Sequence, residues 1–279
     1  MNSFKKLLVF NLLLISITIN AQSDAFKVDI KGTGSPVLLF PGFTCPGDVW
    51  TEVVNELSKN HECHVFTFAG FGDVPAIDKP WLPKIKEAIS TYISDKNLIE
   101  PTIIGHSLGG TIGLWLASEN QNNIEKIIVV DALASNGALM IPNFKAEEIS
   151  YDNAYNQQLL NMDDVNFKAM AEQMAKAMTL NTEKQGLISK WMIESDRKTY
   201  VYGYTDLLKL DLREDISKIE IPVTILAATE PYGLETVKQT YAEQYKNLKN
   251  YNIKFAEGSA HFIMFDTPNW LIETIISEL

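Results

Sequence analysis

The chain has 279 residues, 46% hydrophobic and 21% charged, enough for one large α/β domain or two small ones. Its 35 acidic and 24 basic residues give a formal net charge of −11. Such a surface repels nucleic acid and anionic lipid and favours solubility, and no Lys/Arg cluster supplies a nucleic-acid footprint.

The first residues read as a targeting segment. Lys5 and Lys6 precede an apolar run over 7–19, and Asn20-Ala21-Gln22 follows. A basic start, a short hydrophobic middle and a small residue at the cut predict a signal peptide over 1–21. The run contains Asn11 and Ser16 and is too short to span a bilayer comfortably. No cysteine follows the cut to carry a lipid. The expectation is a mature protein over 22–279, periplasmic or secreted, more acidic by the two lost lysines and without stable membrane insertion after cleavage.

Strand and helix patterns then alternate. A short strand over 26–30 leads through Gly32-Thr33-Gly34 into a fully apolar strand over 37–40, of the buried kind. Residues 48–59 predict a helix with Val49, Val53 and Leu57 on one face. A strand follows over 65–68 and a helix over 82–93, after Pro80. His61 and His64 flank the entry to the former strand and read as a solvated edge; with Cys63 between them they lack the partners of a zinc site. Cys45 follows the end of one strand and Cys63 precedes another at the opposite edge of the sheet, so two free thiols are expected rather than a bridge.

The next strand, over 102–104, feeds Gly105-His106-Ser107-Leu108-Gly109 directly into a helix over 108–118. In this strand–turn–helix setting a Gly-x-Ser-x-Gly pattern marks a sharp turn that lifts one hydroxyl above the sheet. Gly105 and Gly109 flank the serine where crowding excludes a Cβ, and Gly110 lets the helix pack closely on its strand. The apolar strand 127–130 ends at Asp131. Repeated β-α-β units imply a doubly wound, mostly parallel sheet.

The rhythm breaks over 136–216, where helix patterns cover 167–178, 186–193 and 199–208 among many Met, Tyr and Trp residues. It resumes with a strand over 222–227, a helix over 235–248, a strand over 252–256 and a closing helix from Pro268. No internal repeat or low-complexity segment interrupts it.

With this order of elements around Ser107, residues 26–279 resemble the α/β-hydrolase superfamily. The resemblance implies a core over 22–135 and 217–279 and a helical cap over 136–216 that roofs the active site. It makes Ser107 the nucleophile. His261, in Gly258-Ser259-Ala260-His261 between the last strand and last helix, stands where the family keeps its base. His106 adjoins the serine and should point away from it. For the acid, the family usually carries Gly-x-x-Asp after the penultimate strand. This chain has Ala228-Thr229-Glu230-Pro231 there, so Glu230 is favoured, 31 residues before His261. The rival is Asp131, at the strand end after the nucleophile helix, where some relatives keep the acid. The implied oxyanion donors are the backbone N–H groups of Leu108 and of Phe43, in Pro41-Gly42-Phe43. Trp50 and the segment 68–72 match further landmarks and read as scaffold, with Phe71 close enough to reach the pocket mouth.

The expected protein is therefore an exported serine hydrolase that cleaves an acyl bond, a carboxylic ester first, of a small-molecule substrate. It needs neither metal nor organic cofactor. Serine at the nucleophile position argues against dehalogenase and epoxide-hydrolase chemistry, for which the family uses Asp. Amide or peptide, lactone and carbon–carbon hydrolysis stay open on the same triad, as does a binding or sensing role on a hydrolase scaffold. Oligomeric state is left open.

Overall fold

A computed structural model describes residues 24–120 and 123–279; the expected signal peptide lies outside the described residues. Seven strands form one sheet: β1 (Phe26–Lys31), β2 (Ser35–Phe40), β3 (His61–Phe68), β4 (Thr102–His106), β5 (Ile127–Val130), β6 (Val223–Ala228) and β7 (Tyr251–Ala256). Their spatial order is β1-β3-β2-β4-β5-β6-β7. The β1–β3 pair is antiparallel, with Phe26 opposite Phe68, and all the others are parallel.

The connecting helices, in chain order, are α1 (Thr51–Leu57), α2 (Trp81–Asp95), α3 (Leu108–Asn120), α4 (Asn136–Met140), α5 (Ala154–Asn161), α6 (Asp164–Met178), α7 (Thr182–Glu194) and α8 (Arg197–Lys209). They are followed by α9 (Leu234–Gln244), the short α10 (Ile263–Asp266) and α11 (Pro268–Glu278). Both faces of the sheet are covered, which is why its central strands are apolar throughout. In β5, Ile127 and Val129 join one core and Ile128 and Val130 the other. The first core receives Leu82, Ile85 and Ile89 of α2, Ile112 of α3 and Val237 of α9. The second receives Val53 and Leu57 of α1 and Leu271 and Ile275 of α11. This is the doubly wound, mostly parallel arrangement that the alternation implied.

Helices α4 to α8 lie between β5 and β6. Each starts on a side-chain cap: Ser135, Asn153, Asp163, Asn181 and Asp196 accept backbone N–H groups of the first turns. The group is fastened to the sheet domain by Asp206 of α8, a buried carboxylate. It accepts the N–H groups of Trp81 (2.7 Å) and Leu82 (3.1 Å), donors that α2 leaves unpaired at its N-terminus, and the hydroxyl of Tyr151.

Several elements differ from expectation. The region expected as a helix over 48–59 opens as a 3₁₀ turn (Gly47–Trp50) before α1. Strand β3 starts at His61, not Val65, because β2 pairs with it from His61 and β1 from Cys63, which holds its polar first residues in the sheet. His64 is accordingly buried rather than solvated, bonded to Tyr92 Oη at 2.7 Å and Glu62 Oε1 at 2.9 Å, and its burial lowers its pKa. Cys63 lies within β3; both cysteines are free and buried, and desolvation pushes the Cys63 thiol up to about 11. Among the described residues no helix is long and apolar enough to cross a membrane. Helix α9 ends at Gln244 instead of Leu248, and α4 and α5 have no counterpart in the pattern reading.

If Asp206 fastens α8 to α2, Asp206→Ala strands buried N–H donors and should lower unfolding stability by about 2 kcal/mol. Thermal unfolding followed by circular dichroism checks this, with a drop of several degrees expected.

Candidate active site

Strand β4 ends in a sharp turn at Ser107. Ser107 has φ 53°, a left-handed conformation that costs a non-glycine residue energy and is held by its surroundings. Its N–H donates to Val130 O at 2.9 Å, and its own carbonyl accepts the N–H of Thr111 at 3.1 Å in the first turn of α3. A Cβ on Gly105 would overlap the Gly109 backbone, and one on Gly109 would overlap the carbonyl of Phe40. The sequence reading of both glycines therefore has a steric basis.

His261 follows β7. Its Nδ1–H donates to Asp131 Oδ2 at 2.6 Å, which leaves Nε2 as the basic nitrogen. Ser107 and His261 line the same two cavities. Asp131, with φ 46° and a side chain 15% exposed, also accepts the N–H of Ala228 (2.9 Å) and the hydroxyl of Tyr241 (2.8 Å) on Oδ1. Burial works to raise its pKa, but the hydrogen bond and charge of His261 and the two further donors bring it below the usual carboxylate range. Burial and the charge of Asp131 push the Tyr241 phenol far up, so it stays a donor.

The expectation favoured Glu230, and the geometry differs. Glu230 lies beyond the end of β6, its N–H on Ser259 O at 2.9 Å, and among the described residues its carboxylate makes no hydrogen bond or ion pair. Asp131 leaves β5, the strand next to β4, and its segment is held by Tyr241 and Gln244 of α9 and by Tyr245 just past its end. Gln244 brackets Ser135 with both amide atoms, and Tyr245 Oη donates to Ala132 O at 2.7 Å.

The expected oxyanion donors are both available. Leu108 is the first residue of α3, and its N–H is one that a helix leaves unpaired at its positive end. Neither this N–H nor that of Phe43 has an acceptor among the described residues. A Cβ on Gly42 would come within 2.7 Å of His106 Nδ1 and 3.4 Å of Ser107 Cβ, so the 42–43 backbone approaches the serine closely. The Phe43 ring lines the inner cavity and rests on Phe71 at 5.0 Å. Phe71 is fully buried beneath it and does not line the cavity.

Two residues with roles here were not foreseen. Tyr241 was one of them, although its spacing with Gln244 and Tyr245 on a predicted helix marks a shared face. His106 is the other. It is fully buried, its Nε2–H donates to the His261 carbonyl at 3.0 Å and the two rings are 4.6 Å apart. Burial, then the neighbouring imidazole, lowers its pKa to about 3, so it is neutral. The loop is tied on its other side to the helical group. Phe262 N–H donates to Met178 O at 3.0 Å, and Asp266 accepts from Ala260 N (2.8 Å), Leu180 N (2.9 Å) and Asn181 N (3.0 Å).

The inner cavity, about 300 Å³, is walled by Phe43, Tyr200, Tyr204 and methionines beneath α6 to α8. The outer one, about 660 Å³, runs along Asp131, Glu230 and Tyr232. Met140, Met174 and Met178 border both. Among the described residues no group of three His, Cys, Asp or Glu is placed to hold a metal ion.

A strained serine between a strand and a helix, with a carboxylate-paired histidine beside it, defines a hydrolase of α/β architecture. Residues 35–268 match the alpha/beta hydrolase fold family, and the chain belongs to it. It is 22% identical over 235 residues to a pimeloyl-[acyl-carrier protein] methyl ester esterase of Legionella pneumophila (strain Lens), covering 84% of this chain and 90% of that protein. A soluble epoxide hydrolase of Corynebacterium sp. (strain C12) is 23% identical over 272 residues, covering 88% and 90%. An esterase from Exiguobacterium antarcticum superposes with a TM-score of 0.75 at 18% identity, covering 91% and 94%.

Because His106 is neutral in the fold and titrates near 6.5 when unfolded, its contribution to stability is complete above about pH 6.5. It is lost as pH falls toward its folded value of about 3. Between pH 7 and pH 5 the native protein should lose about 2 kcal/mol more than His106→Phe. Urea unfolding of both proteins at the two pH values measures the difference.

Proposed function

We propose that the protein is an exported serine hydrolase that cleaves a carboxylic ester of a small molecule through an acyl-enzyme. The observation that carries this reading is the 2.6 Å bond from His261 to Asp131 beside Ser107. Export rests on the basic-apolar pattern of residues 1–21.

The hydroxyl of Ser107 attacks the acyl carbonyl while His261 Nε2 takes its proton. The imidazolium that forms is stabilised by Asp131, which the N–H of Ala228 and the phenol of Tyr241 help keep ionised. Negative charge growing on the carbonyl oxygen is met by the N–H groups of Phe43 and Leu108, each donor worth about 3 kcal/mol. Collapse expels the alcohol with the proton from His261, and a water activated by the same nitrogen hydrolyses the acyl-Ser107. The α/β-hydrolase relatives, an esterase among them, support this chemistry at the level of class. A serine nucleophile also favours acyl transfer over the carboxylate attack that opens an epoxide.

The mature protein should be labelled by an active-site fluorophosphonate, and Ser107→Ala should abolish labelling. No labelling beside a labelled control esterase overturns the reading. Asp131→Asn should lower kcat/KM on short acyl esters by roughly 10³- to 10⁴-fold. A larger loss in Glu230→Gln would give the acid's role to Glu230 instead.

A further inference from the structure

Resting on the esterase reading, the outer chamber carries a further inference about the substrate. Its charge is unusual. No Lys or Arg lines either chamber. The inner chamber has no acidic residue either, and its Met and aromatic walls suit an apolar acyl chain. The outer chamber holds two carboxylates, Asp131 and Glu230. Asp131 is committed on both oxygens, to His261, Ala228 and Tyr241. Glu230 is committed to nothing: it is half-buried, its backbone is pinned to Ser259, and its carboxylate has no partner among the described residues. Tyr232, two residues on, lines the same chamber and is 73% exposed at its mouth.

The two chambers also divide the reaction. Gly42 and Phe43, which carry the oxyanion side, line only the inner one and Asp131 only the outer one, while Ser107 and His261 line both. His261 can be reached from either, so the apolar inner chamber, suited to the acyl chain, leaves the outer one, with Tyr232 exposed at its rim, to the leaving alcohol. We infer that this outer chamber selects a leaving group bearing a positive charge, an ammonium that meets the Glu230 carboxylate with the Tyr232 ring beside it, while the acyl chain occupies the inner chamber. A carboxylate on the same leaving group would face two negative charges and no cation. The partly exposed site sets the scale of the preference, since an ion pair there, aided by a ring, accounts for about tenfold, and added salt weakens it.

The test compares hexanoyl esters of three alcohols of equal length: choline, its uncharged dimethylbutanol isostere, and one ending in a carboxylate. Release of hexanoate is followed by pH-stat titration. The native protein should show kcat/KM about tenfold higher for the choline ester than for the neutral one, lying mainly in KM and shrinking as salt rises. The carboxylate ester should be the poorest. Glu230→Gln should bring the choline-to-neutral ratio to about one, and Glu230→Lys should invert the order. A native ratio of one or below, or a ratio that survives Glu230→Gln, overturns the inference while leaving the esterase reading intact. Failure of that reading has its own signature, no labelling of Ser107 by fluorophosphonate and no turnover of any ester. A readout without turnover is protection of Ser107 from labelling. Hexyltrimethylammonium should protect better than hexanol in the native protein but not in Glu230→Gln, and equal protection in the native protein also counts against the inference.

Discussion

The hydrogen bond between His261 and Asp131 joins residues 130 apart in the chain, and much of the architecture serves to bring them together and keep the carboxylate charged. Asp131 ends β5, Ala228 ends β6, and His261 follows β7, three strands that are neighbours in the sheet. Tyr241 completes the set from α9, the crossover helix between the last two. Each partner thus comes from a different element, and no local segment could build the site alone. A buried carboxylate is costly unless it is hydrogen-bonded. Here the three donors outweigh that cost, and the result is an anion fixed at one point behind the imidazole.

Behind the base the protein uses the opposite device. His106 supports the His261 carbonyl, and because it is kept uncharged it adds no positive charge beside that ring, which the proposed mechanism makes the proton acceptor. Two imidazoles 4.6 Å apart therefore have separate duties, one paired with Asp131 and one fully buried and held neutral. The same economy of charge extends to the substrate space, where the apolar inner chamber and the acidic outer one meet at the serine.

What could be read in the sequence follows the range of the forces involved. The sheet was legible because β2, β4, β5 and β6 are short apolar runs and their order is restricted by right-handed crossovers. The nucleophile turn was legible because its glycines answer to sterics within five residues. The carboxylate that pairs with His261 was not, since Glu230 and Asp131 both follow strand ends at plausible distances, and the pairing depends on side-chain reach across β5, β6 and β7. The start of β3 was hidden because His61, Glu62 and His64 are polar, yet β2 pairs with the strand from His61 and β1 from Cys63. Helices α4 and α5 carry weak apolar patterns, with one buried leucine in α5, and depend on Ser135 and Asn153 as caps and on contacts with α8. Those two caps were visible as residue types, but a cap without an apolar stripe gives little to read.

The ties between the His261 loop and the turn over 178–181 bear on how this enzyme could change over generations. Asp266 and the Phe262 N–H bind the base's loop to the same backbone that borders the inner chamber. On the proposed mechanism, a substitution that reshapes this turn to admit a different acyl chain also shifts the footing of His261, so novelty there risks turnover. The segment over 230–233 is anchored to the loop only by backbone bonds near Ser259 and leaves its side chains uncommitted. If the outer chamber receives the leaving group as proposed, variation at that rim explores new leaving groups at little cost to the reaction itself, which makes it the more open route to new substrates.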